Sequence, residues 1–288
     1  MSSFFLPGET TDQAYVNVRE SPNLAEAKRF VESLWPRFQP LADSNFQTDA
    51  KNHFLQRFWE MYLACSLMER GLELHKVDDA GLEYYFNEGG RRVWLEAVAP
   101  SPGKGPDRVP EIVYGEAYTV PSEKVILRFT SAMRDKLLKI KKDQANGRLM
   151  ESDRVLLAIN SRGIPHGPYG GDMPFFLKAC LPFGNLTLEL DPKKRQIVDR
   201  YHTYRPTIQK QSEGEVRTTT FLDADSAVLI GVLHSAVDCA NKPTVLGGDF
   251  QLLHNPNAAQ PLPRATFSWC EQYEYAENEL RHFARGKT

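Results

Sequence analysis

The sequence predicts an α/β protein of mixed α+β type: a central sheet flanked by helices, with a β-rich C-terminal extension. Hydrophobic periodicity runs helix, hairpin, helix, strand and then further strands. Two aromatic and β-branched runs flank Gly89-Gly90, which reads as a β-hairpin. The 288 residues are 41% hydrophobic and 25% charged, enough for one good core, and no repeat or composition break demands a second domain.

The first 45 residues read as an N-terminal helical arm docked on the main body. Asn23 is the expected N-cap of a helix carrying Leu24, Ala27, Phe30, Val31 and Leu34, with Pro36 as its stop. Residues 46–160 form the expected core. Its first helix spans about Ala50 to Gly71, is apolar nearly all round, and is therefore expected to be buried. Glu60 stands inside it with Leu63, Ala64 and Leu67 at helical spacing, so its carboxylate needs a partner or a metal.

The hairpin strands are expected over Gly81 to Phe86 and Arg91 to Ala99, followed by a long Pro/Gly loop. Thr130 or Ser131 reads as the N-cap of a helix from Ala132 to Asn146, closed by Gly147, and Arg154 to Asn160 as a buried strand. Residues 161–288, packed on the same domain, carry strands expected at Leu186 to Leu190, Gln196 to Tyr204, Ser226 to Val237 and Asp249 to His254.

Composition excludes several classes. With 35 Lys and Arg against 37 Asp and Glu, there is no wholesale basic coat for nucleic acid, although a local basic face is allowed. Cys65, Cys180, Cys239 and Cys270 are scattered with no CxxC, which argues against a disulfide framework or a zinc site and suits a reducing cytoplasm. The longest apolar run, Ala227 to Leu233, is too short for a membrane span, so no membrane association is expected. There is no HExxH, GxSxG or Rossmann GxGxxG.

The chemistry-bearing constellation is Glu60, Glu83 and Glu96. A Gly89-Gly90 turn puts Glu83 directly opposite Glu96, whereas a Glu88-Gly89 turn makes them diagonal neighbours on the same face. Like charges so placed are destabilising and ask for a cation, and hard oxygen donors suit Mg²⁺. The bland alternative pairs both with Arg91, Arg92 or other basic residues on a solvent face.

The runs Phe58-Trp-Glu-Met-Tyr-Leu-Ala-Cys-Ser-Leu, Gly81-Leu-Glu-Tyr-Tyr-Phe and Val93-Trp-Leu-Glu-Ala-Val resemble the start of the PD-(D/E)XK nuclease superfamily, the restriction-endonuclease-like fold, over about residues 50–160. The resemblance implies a central sheet of that fold and Mg²⁺- or Mn²⁺-dependent hydrolysis of nucleic acid. It implies metal ligation by Glu60, Glu83 and Glu96, with Glu96 as the acidic member of the triplet. The triplet departs from the pattern: it reads Glu96-Ala97-Val98, so Val98 fills the lysine slot on the face of Glu96. Lys136 and Lys139, on the following helix, are the nearest substitutes by topology, and Arg128 is a third. Otherwise they are solvated helix residues, and the chain is a catalytically inactive relative that binds nucleic acid or a protein partner.

Three further sources of function are open. Six Lys and Arg against two Asp between Arg134 and Arg148, with Lys193-Lys194-Arg195, allow a phosphate-contacting face. Trp94, Tyr84 and Tyr85 could stack on bases or lie in the core. His202, His234 and His254 could mark a site in the C-terminal strands. A homo-oligomer is compatible with the sequence but not inferable from it.

Overall fold

A computed structural model describes residues 3–77, 81–168, 170–212 and 214–286. Six α-helices are described: α1 (Gln13–Glu20), α2 (Ala25–Phe38), α3 (Phe46–Ala50), α4 (Phe54–Glu69), α5 (Ser122–Ala145) and α6 (Phe175–Cys180). The described strands are β1 (Tyr84–Glu88), β2 (Arg91–Val98), β3 (Arg154–Asn160), β4 (Phe183–Asp191), β5 (Gln196–Tyr204), β6 (Thr207–Gln209), β7 (Glu215–Arg217), β8 (Leu229–Ser235), β9 (Gln251–His254), β10 (Glu271–Ala276) and β11 (Glu279–Phe283).

Seven of these strands form one mixed sheet in the order β1-β2-β3-β8-β9-β10-β11. The β2, β3 and β8 strands run parallel at its centre, and the hairpins β1-β2 and β10-β11 close its two edges. Alternation along the strands sorts the cores. Val93, Leu95 and Ala97 of β2, with Leu156 and Ala158 of β3, pack under α1–α4. Trp94 of β2, with Val155, Leu157 and Ile159 of β3, packs under α5 and α6. The sheet is thus covered on both faces, which is why β3 and β8 are buried at every position and read as near-continuous apolar runs.

The C-terminal strands are more integral than an extension. They supply β8 beside β3 at the centre of the sheet and all strands beyond it. The β4-β5 ribbon and the short β6-β7 hairpin stand outside the sheet. The N-terminal segment likewise joins the core rather than lying upon it, with Phe4, Tyr15, Val31 and Trp35 buried against α4.

Several boundaries move. Asn23 falls in a 3-10 turn, α2 begins at Ala25 without a side-chain cap, and it runs through Pro36 to Phe38. The long core helix divides into α3 and α4, and Gly71, at φ +84°, follows α4 in the left-handed conformation that suits glycine. The α5 helix begins ten residues before Ala132, so Thr130 and Ser131 are interior to it. Thr130 Oγ1 bonds back to the Leu127 carbonyl at 3.1 Å, the local hydroxyl–backbone bonding that also makes threonine a good cap. The α1 and α6 helices and the β6, β7, β10 and β11 strands have no counterpart among the sequence expectations. Among the described residues, no helix is long and apolar enough to cross a membrane.

Candidate functional site

The hairpin turn is Gly89-Gly90. Glu88 pairs with Arg91 and Tyr84 with Leu95, and both glycines have positive φ, at 59° and 75°, as a type I′ turn requires. Continuing this register one step sets Glu83 opposite Glu96. The ladder stops at Tyr84, where the Glu83 amide donates to the Leu95 carbonyl at 3.3 Å. Beyond that point β2 has lost its neighbour on this side, and α4 supplies one. Gln56 donates to the Ala97 carbonyl at 3.2 Å and accepts from the Ala99 amide at 2.7 Å. Glu60, one turn further along α4, arrives at this same sheet edge. The Tyr84 hydroxyl fixes the helix there by donating to the Glu60 carbonyl at 2.8 Å.

Three acidic side chains converge with three cations. Glu96 is fully buried on the α5 face of β2. It accepts Lys136 Nζ on Oε1 at 2.5 Å, and Lys139 Nζ on Oε1 and Oε2 at 2.8 and 2.9 Å. Glu60, also buried, accepts Gln56 Nε2 at 2.7 Å and Arg57 Nη1 at 2.6 Å, and Arg57 further bridges to Asp49. Glu83 differs from both: its carboxylate accepts no hydrogen bond among the described residues. Burial, then the charges of Glu60 and Glu96, push it up to about 8 against the pull of Lys139 and Lys136. Burial also raises Glu60, opposed chiefly by Arg57.

The residues expected from sequence are therefore brought together: Glu60, Glu83, Glu96, Lys136 and Lys139. Val98 lies on the Glu96 face, packed against the apolar cluster beneath α5. The two α5 lysines reach the Glu96 carboxylate, so they are not simply solvated helix residues. Arg128 does not reach Glu96; its Nε donates to the Ser101 carbonyl at 2.9 Å. The sequence expectation omitted Gln56 and Arg57, although their i,i+4 and i,i+3 spacing to Glu60 on a helix was the available signal.

The donor set can be tested for a divalent cation. Among the described residues, no three His, Cys, Asp or Glu side chains converge closely enough to hold a metal ion. A carboxylate offers about four lone-pair sites, and the lysines use three on Glu96, leaving one on Oε2. With Glu83, which accepts no hydrogen bond among the described residues, this gives two hard oxygen donors. That fits Mg²⁺, which keeps several waters and commonly takes one or two carboxylates.

The other expectations separate from this site. Trp94 and Tyr84 are buried in the core, so they offer no surface for base stacking, and Arg92 lies over the Trp94 and Tyr85 rings. His202 bonds Asp172, His234 bonds Ser161 and Gln251, and His254 bonds Gln272, so the three form no common site. The cysteines are free and buried. The basic run on and just after α5 is partly spent on ion pairs, Lys141 with Asp225 and Arg148 with Asp143. No protein-family model, curated protein or solved structure matches the chain.

Proposed function

We propose that the protein is a metal-dependent phosphodiesterase acting on nucleic acid, similar to the PD-(D/E)XK nucleases, whose triplet lysine has been replaced from the following helix. The observation that carries this reading is the pair of α5 ammonium groups on buried Glu96, beside a Glu83 carboxylate with no hydrogen-bond partner among the described residues. Valine at position 98 supplies no hydrogen bond, whereas Lys136 and Lys139 bring two cations to the same carboxylate from the opposite layer.

Glu83 and Glu96 would hold Mg²⁺ or Mn²⁺, with Glu60 behind them. A cation bound there supplies Lewis-acid stabilisation of phosphoryl charge and a water of lowered pKa. Lys139, more exposed than Lys136, can orient an attacking water or donate to a phosphoryl oxygen as negative charge builds on it. Arg57 and Gln56 fix the Glu60 carboxyl beside Glu83 and oppose the rise that burial causes in its pKa.

The test is hydrolysis of single-stranded DNA, duplex DNA and RNA in Mg²⁺ or Mn²⁺, beside calorimetric titration of the metals. Glu96→Gln should abolish cleavage and Lys139→Met should lower it at least ~10²-fold, the scale of one transition-state donor. The Glu83→Ala/Glu96→Ala protein should lose metal binding. Absence of heat at millimolar metal, with no cleavage, overturns the enzymatic reading.

One observation favours a second reading. Three lysine hydrogen bonds already hold Glu96, which describes a self-neutralised remnant as well as a poised site. In that case the protein binds nucleic acid or a protein partner without catalysis, and Glu96→Gln leaves binding intact.

A further inference from the structure

Past Glu96 the chain does not turn away from α5. It follows the helix back towards its N-terminus: the Ser101 carbonyl meets Arg128, and the Pro106 carbonyl accepts Lys124 Nζ at 2.8 Å. Asp107 secures the far end by accepting the amides of Gln211 and Ser212, with Gln211 at 2.7 Å. Residues 101–107 thus line one flank of α5. Lys139 and Arg128 are separated by three helical turns, so they lie within about 20° of each other around the axis and about 16 Å apart along it.

Arg128 is a half-buried guanidinium with no carboxylate in ion-pair range among the described residues. Nε is spent on Ser101, while Nη1 and Nη2 make no hydrogen bond to the described residues. The fit around it is close. Gly103 has φ +92°, and a Cβ there would stand 3.0 Å from Nη1 and 3.2 Å from Cζ, so a side chain would close the cradle. Desolvation lowers its affinity for a proton, opposed only by distant Asp135, which is itself exposed and turned to Arg134 at 3.5 Å. A guanidinium held this way, with its planar fork free, is suited to a phosphate.

We infer that Arg128 anchors the backbone of a nucleic-acid strand that enters along the α5 flank, several nucleotides from the Glu83–Glu96 centre. The inference deepens the nuclease reading and rests on it for the direction of the strand. Successive phosphates of one duplex strand are ~3.4 Å apart along the axis and further apart in an extended single strand, so 16 Å corresponds to at most about five phosphates and to more than one nucleotide. The substrate class is therefore an oligonucleotide rather than a mononucleotide or a small phosphodiester. Asp135 lies between Arg128 and Lys139 on this flank, so its charge opposes the strand.

The test is fluorescence anisotropy with labelled dT16 and dT4, in EDTA so that catalysis plays no part, over a salt series. Wild type should bind dT16 well and dT4 poorly. Arg128→Gln should weaken dT16 binding at least ~5-fold and reduce the salt slope by about one. Arg128→Lys should recover the slope but only part of the affinity. Asp135→Asn, at an exposed position, should tighten dT16 binding. Unchanged dT16 affinity and slope in Arg128→Gln, no tightening in Asp135→Asn, or no dT16 binding by wild type would each overturn the inference. Failure of the catalytic reading is separately visible: Glu96→Gln cleaving as wild type refutes the site while leaving these binding results to stand.

Discussion

At Glu83, burial and two neighbouring carboxylates raise the folded-state pKa to about 8, well above that of an exposed glutamate. The neutral acid is therefore favoured by folding. The stabilisation is fully present below the ordinary glutamate range and is lost as pH rises towards 8. At ~1.4 kcal/mol per unit, less a discount for the group's remaining exposure, the loss is on the order of a few kcal/mol. Glu83→Gln should thus raise Tm more at pH 8 than at pH 5, in EDTA, and flatten the alkaline limb; an equal gain at both pH values would refute the assignment. His234 acts with opposite sign. Burial among Phe129 and Phe176 lowers it to about 4, so its stabilisation is present above ~6.5 and is lost as pH falls towards 4. Its ring should remain neutral at pH 5.5 by ¹⁵N NMR. Positions 83 and 96 were legible because hairpin register is arithmetic once the turn is known. The environment of Glu60 is legible only in part: helical spacing allows Gln56 and Arg57 to reach it, but the packed sheet edge selects the rotamers that do.

The element that departs furthest from its sequence signal is α5. Thr130-Ser131 carries cap chemistry, and the residues before it follow a Pro-rich loop, so a helix start at 132 was the local reading. Tertiary burial overrides it: Val125, Ile126 and Phe129 form a stripe that packs on the sheet. The difference has a direct test. Proline is tolerated ahead of a helix but costs about 3 kcal/mol or more inside one, so Thr130→Pro should destabilise the protein by that amount in urea. A loss below ~1 kcal/mol would mean that the helix begins near Ala132. The extra turns matter for the site, because they carry Lys124 and Arg128 alongside the loop after β2. The β1-β2 hairpin shows the converse case. Its turn residues, apolar alternation and register agree at every level, so a local reading sufficed.

Over the whole molecule, the residues that carry the candidate site end at Lys139, but the structure that holds them does not. The β3 strand is buried on both faces and pairs along its far edge with β8, a strand more than sixty residues later. Trp59 of α4 donates to the Ala158 carbonyl, Tyr62 donates to Asp249, and Asn160 donates to the Val237 carbonyl. Phe250, Phe267 and Leu252 complete the core over the face that also receives α4. Such pairing at long sequence separation leaves no local trace, which is why the C-terminal region reads from sequence as an extension packed on the domain. A chain ending after Asn160 should therefore fail to unfold cooperatively by circular dichroism, because it bares the β3 edge and loses about half of the core beneath α5 and over a quarter of the core beneath α4. Removing only the ribbon, by replacing residues 184–203 with a short glycine-serine link, should leave a cooperative transition. Most ribbon residues are exposed, and its polar ties to the body include the bond of His202 to Asp172. If residues 1–160 fold alone with native-like stability, the site belongs to an autonomous core and the central position of β8 is not required to hold it. If they do not, the α4 and α5 side chains around Glu96 depend on the C-terminal strands for their placement, and truncations there should abolish metal binding without touching a ligand.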